Sequence, residues 1–148
     1  MAFAFRLQTV LDHRAHQEDL AFNVFAQRRK RQQDCELQIA WMQEELRRAR
    51  LELAEREVQG IKAQDYILAN EYVTVIRLQL MREQARLPLL RLETEKARGN
   101  LVEATRARKI LETLKTRHRE QWEREQLMAE QKLLDEVAVG GFLRRQTT

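Results

Sequence analysis

Few side chains in this chain stand at spacings that could do chemistry. His13 and His16 lie three apart, so on a helix both could reach one divalent cation. No third histidine or cysteine stands nearby, and two solvated imidazoles are expected rather than a zinc site. Cys35 falls on an apolar helical track and reads as a small core residue rather than a nucleophile. The run Arg28-Arg29-Lys30-Arg31 could hold phosphates. Single-strand binders interleave such bases with stacking aromatics, which are missing here, so a solvated helix face is expected. The chain has no Gly-rich phosphate loop, nucleophile elbow or H-E-x-x-H pattern. The expectation is therefore a protein with no catalytic, metal-binding or cofactor-binding residues, and not an enzyme.

The elements behind these residues are two long helices. Steps of four and three from Ala69 give Ala69, Val73, Ile76, Leu80, Glu83, Leu87, Leu90, Thr94, Ala97, Leu101, Ala104, Arg108 and Leu111. Apolar residues dominate this track, and it repeats about every 3.5 residues, the period at which two helices keep one stripe in contact. The same steps from Leu7 give Leu7, Leu11, Arg14, Glu18, Ala21, Phe25, Arg28, Gln32, Cys35, Ile39, Met42, Leu46, Ala49 and Leu53. So narrow a stripe cannot be buried by its own helix, and each run supplies the other's partner. The expected seam is Leu11, Phe25, Cys35, Ile39, Met42, Leu46 and Leu53 against Val73, Ile76, Leu80, Leu87, Leu90, Leu101 and Leu111. The fold class is all-α: two long helices forming an antiparallel coiled-coil hairpin, the second helix longer than the first.

The 148 residues hold four glycines and one proline, with 34% charged residues, too few turn signals for a globule of short elements. One coiled-coil domain over 1–148 is expected, with helix 1 at about 7–57, a turn at 58–65, helix 2 at 66–138 and a tail at 139–148. At helical rise the two helices would be roughly 75 and roughly 110 Å long. Such a seam has no closed interior for a substrate pocket. Gly60 is the breaker between the runs, Asp65 the nearest good N-cap, and Asp12 an acid suited to the start of the first helix. Pro88 argues for a kink, and Gly99-Asn100 is a softer weak point. Gly140-Gly141 should end the second helix. A lone cysteine, no run of about 18 apolar residues and no room for a leader point to a soluble cytoplasmic chain.

With the fold line near Gly60, Leu7 should lie near Thr113, which leaves His118 to Glu136 as an overhang without a partner. His118 would stand alone on it. Net charge is only +4, but Arg77–Lys115 is basic and His118–Glu136 acidic, which suggests oriented contact with partners. Around the turn, Tyr66, Ile67, Leu68, Tyr72, Val75, Leu78 and Met81 exceed what one helix can cover, and such a patch docks another protein. Nothing in the seam specifies a higher oligomer, so the chain should be a monomer in isolation, with its patch for a different protein.

Phe5-Arg6-Leu7-Gln8 with Val10-Leu11, then Arg14, Glu18 and Ala21, resembles the opening of the FliJ family of flagellar type III export proteins. Gly60-Ile61 and Tyr72 also fit, and so do Lys109, Leu111-Glu112, Leu114-Lys115 and Arg117, then Glu130-Gln131-Lys132 and Leu134-Asp135-Glu136. The resemblance covers nearly the whole chain. It implies a coiled coil like the central stalk of rotary ATPases, entering the hexameric ring of the export ATPase FliI by its termini. It also implies contact with the membrane-embedded export gate FlhA, escort of export chaperones and a place at the cytoplasmic face of the bacterial cell membrane. The positions matching the gate-binding strip are Gln38, Met42, Tyr72 and Ile76. Read with the overhang, the ring-binding candidates are Arg106, Arg108, Lys109, Arg117, Glu130, Asp135 and Glu136. Alternative readings are the equivalent stalk of a virulence secretion system and, from another class, a basic coiled coil that binds nucleic acid.

Overall fold

The computed structural model describes residues 2–147 and contains two helices, α1 (Gln8–Gln59) and α2 (Ala63–Gln146), packed as an antiparallel hairpin. Contacts divide the chain into a turn unit, Asp19–Val102, and a terminal unit that joins Met1–Glu18 to Glu103–Thr148.

In the turn unit the chain reverses over three residues. Gly60 sits at φ 92°, in the left-handed region that favours glycine at a helix end, and its N–H donates to the Glu57 carbonyl at 3.4 Å. α2 then starts earlier than expected. The Tyr66 N–H donates to the Lys62 carbonyl at 3.0 Å, which makes Lys62 the cap and puts Asp65 inside the first turn. There its charge complements the positive end of the helix instead of capping it.

The turn-unit core is Cys35, Ile39, Met42 and Leu46 of α1 against Val73, Ile76, Leu80 and Leu90 of α2, with Ala49 and Leu87 packed on it. Every stepped position from Ala69 to Leu111 is buried or half-buried, as the 3.5-residue period requires. Polar residues in this track find local partners. Thr94 donates its hydroxyl to the Leu90 carbonyl at 3.0 Å. Glu83 accepts from the Cys35 thiol at 3.5 Å and pairs with Arg86 at the same distance. Arg28, which interrupts the α1 track, crosses to Glu93 at 3.4 Å. α2 runs unbroken through Pro88 and Gly99, and both are exposed, so the one donor that Pro88 lacks lies off the seam.

The terminal unit departs from the expected pattern at three points. Leu7 and Arg14 are exposed, and Phe5 and Ala15 take the inward places. Ahead of α1 the non-helical lead lies along α2. Phe5 meets His118 edge-on at 5.8 Å between ring centroids, and Phe3 tilts against Trp122 at 6.0 Å. His118 is thus a contact residue, and the uncovered part of α2 begins after Trp122. Finally, α2 does not end at 138 with a tail from 139. Gly140 and Gly141 keep helical backbone because a glycine stops a helix by turning left-handed, which among the described residues Gly60 alone does. The end lies instead at Thr147, whose hydroxyl donates to the Leu143 and Arg144 carbonyls at 3.2 and 3.1 Å.

Candidate functional site

The gate strip lies entirely in the turn unit, and the structure splits it. Met42 and Ile76 are each 5% exposed and belong to the core, so a partner could reach their side chains only by opening the seam. Gln38 and Tyr72 are exposed, Tyr72 at 49%. The Tyr72 hydroxyl donates to the Glu45 carboxylate across the helices at 2.8 Å. This bond to Glu45, with partial burial and the Glu45 charge behind it, pushes the phenol pKa up, so the ring stays a neutral hydrogen-bonded surface. Gln38 and Met42 line a shallow groove with Gln79 and Glu83, and Tyr72 lines another with Glu45, Ala49 and Leu68. The strip is therefore two shallow grooves along one side of the hairpin, floored by seam residues and edged by polar ones.

The apolar excess near the turn is uncovered, as expected. Tyr66, Ile67, Leu68, Val75, Leu78 and Met81 are all exposed. These side chains stay uncovered because α1 covers only one stripe of α2, with Leu68 at the edge of that stripe.

The ring candidates occupy the terminal unit and also separate by role. Arg106, Lys109 and Arg117 line a groove with Ile110, Thr113 and Leu114 on α2, an apolar floor with a cationic rim. Arg108 turns inward instead: its side chain is 21% exposed and pairs at 2.6 Å with both Glu18 of α1 and Glu112 of its own helix. The Arg108 hydrogen bond holds the Glu18 carboxyl below the usual carboxylate range against the opposing effect of burial. Arg108 thus closes the seam and is not presented to a partner. Glu130, Asp135 and Glu136 are exposed on the uncovered part of α2, beside exposed Leu127, Leu134 and Val137.

Sequence reasoning missed the aromatic contacts of Phe3 and Phe5. Their signal was two phenylalanines before the first helical residue, facing an aromatic and an imidazole four apart on α2. Lys115, outside the candidate set, donates to Gln8 at 2.7 Å. His13, His16, Arg29, Lys30 and Arg31 are exposed, and no group of three His, Cys, Asp or Glu side chains could hold a metal among the described residues. No helix is long and apolar enough to cross a membrane.

Comparison with protein families gives a match to the family described as Flagellar FliJ protein over residues 3–147. No curated protein and no solved structure matches the chain. The family match runs from the aromatic lead at Phe3 to the last helical turn, so it takes in both helices, the Gly60 reversal and the uncovered end. This chain belongs to the FliJ family of flagellar proteins and has a role in flagellar protein export.

Proposed function

We propose that the protein is a non-enzymatic stalk of the flagellar export machinery, with the terminal unit seated in the hexameric ring of the export ATPase FliI. The turn unit contacts the export gate FlhA through Gln38 and Tyr72, with Met42 flooring the groove beside Gln38 and Ile76 held within the seam. It also receives export chaperones and works at the cytoplasmic face of the bacterial cell membrane. Membership of the flagellar family favours this setting over the stalk of a virulence system.

The observation that carries the reading is the stretch of α2 beyond Trp122. It is helical to Gln146, yet nearly all its side chains are exposed, including Leu127, Leu134, Val137 and Phe142. Helix stability in proteins comes mostly from packing, so a segment of this length with no packing partner is built to be enclosed by another molecule. A charged, asymmetric shaft can touch several similar subunits in turn without locking to one. The cationic rim of Arg106, Lys109 and Arg117 stands at the base of that shaft and would face the mouth of the ring.

The test is ATPase rate against added protein, comparing the full chain with one that stops after Trp122. That end point keeps Phe3 and Phe5 on their aromatic partners, so the hairpin stays closed. The truncated chain should still bind the gate but fail to stimulate ATP hydrolysis. Equal stimulation by both would remove the uncovered segment from the interface and move it to Arg28–Arg31.

A further inference from the structure

α2 carries a second heptad track in the turn unit, outside the hairpin seam, whose Leu68 and Arg82 also edge the shallow grooves shared with α1. Steps of three and four give Leu68, Glu71, Val75, Leu78, Arg82 and Ala85, and all six are exposed. Apolar residues at these positions lie outside the hairpin core, which on α2 is formed by Val73, Ile76, Leu80 and Leu90.

The order along this track reads the same against its own reverse. When a second α2 is laid antiparallel, with the two-fold axis between Val75 and Leu78, Val75 meets Leu78, Glu71 meets Arg82 and Leu68 meets Ala85. The symmetry makes each pair twice. One further step outward sets Leu89 against Gln64, near the start of α2. This self-complementarity is what an isologous two-fold interface needs, with opposite charges standing where the two copies would otherwise repel. One charged pair within an apolar heptad track is also the usual device for fixing orientation and register.

The charges point the same way. Two charges beside the hairpin seam find partners within the chain, Arg28 in Glu93 and Arg91 in Glu36. Glu71 and Arg82 have no ion-pair partner among the described residues. An unrelated helix could supply complementary charges only by coincidence of sequence, whereas a second copy supplies both by symmetry.

We propose that the outer track of α2 is a self-association surface, on which a second copy of this chain packs antiparallel through Leu68–Ala85 with reciprocal Glu71–Arg82 pairs. At helical rise the paired stretch is about 26 Å long. This goes beyond the stalk reading and revises the expectation of a monomer in isolation. Its readout, mass in solution, is independent of ATPase stimulation.

The test is sedimentation equilibrium of the full chain over a range of concentrations, with helicity checked by circular dichroism. The wild type should shift from one chain to two as concentration rises. Glu71→Arg and Arg82→Glu each place like charges together twice and should weaken the dimer at least about tenfold, while the double exchange E71R/R82E should return it to within about threefold of wild type. Leu78→Glu should abolish the dimer and leave helicity unchanged, because the side chain is exposed in the single chain. A single-chain mass at every concentration would overturn the proposal and leave the track for a helix of another protein. Single exchanges that behave as wild type, or a double exchange no better than the singles, would overturn it as well.

Discussion

The turn unit and the terminal unit are made from the same two helices but held by different chemistry. In the turn unit an aliphatic core from Cys35 to Leu90 carries the contact, with the more exposed cross-helix pairs Arg28–Glu93 and Arg91–Glu36 beside it. Between Gln8 and Trp122 it is a mixture: buried Phe5 and Leu11, two aromatic contacts, and the charged bridge of Glu18, Arg108 and Glu112. An aliphatic core depends mainly on area removed from water, whereas the partly buried Glu18–Arg108–Glu112 bridge depends on charge and weakens as salt screens it or acid protonates Glu18. The hairpin should therefore be firm at the turn and able to loosen at the termini.

The largest effect should come from Leu46→Asp, which puts an unpaired charge into the firm seam. It should cost several kcal/mol, roughly 3–5, and melt the hairpin in a urea titration followed by circular dichroism. A melt close to wild type would show that the seam does not carry the turn unit.

Gly60→Ala probes the same unit at its reversal. Its added methyl meets open space, so the cost is backbone strain at positive φ, about 1–2 kcal/mol in the same titration.

Arg108→Ala should act locally in the terminal unit. Amide exchange over residues 8–18 should speed up while the core around Ile39 and Val73 stays protected. The Glu18–Arg108 contact should also respond to pH. Because the folded carboxyl is held below its ordinary range, its contribution is present above that range and lost as pH falls through the depressed value. Acid and added salt should therefore quicken the same amides in the wild type and have little effect in Arg108→Ala. Uniform protection across both units would erase the contrast between them.

Smallest in stability should be Tyr72→Ala, within about 0.5 kcal/mol of wild type, since the ring is half exposed and its partner Glu45 stays near solvent. On the proposed reading its effect falls on gate binding, measured by titration with the gate protein. A destabilised hairpin with unchanged gate binding would make Tyr72 a packing residue.

The strict 3.5-residue period made the seam legible from Leu11 to Leu111, and the lone Gly60 made the reversal legible, because both depend on spacing alone. The exposed apolar residues near the turn were legible for the same reason, since one helix covers only one stripe of another. Less was readable at the ends. Phe3 and Phe5 lie outside any periodic run, so nothing in their spacing said they would lie along α2 as far as Trp122. Gly140-Gly141 read as a stop because composition does not reveal whether a glycine turns left-handed.

Heptad spacing alone determined that the protein has two helices, which face of each is apolar and where the chain turns back. The tertiary structure alone decided what the residues on and beside that face do. It sealed Met42 and Ile76 inside the seam while Tyr72 and Gln38 stayed at the surface, and it turned Arg108 inward while Arg106, Lys109 and Arg117 stayed outside. Periodicity fixes direction around one helix axis. Whether a long or polar side chain is covered depends on the register of the second helix and on which opposite charge stands within its reach, and both exist only once the two helices are side by side.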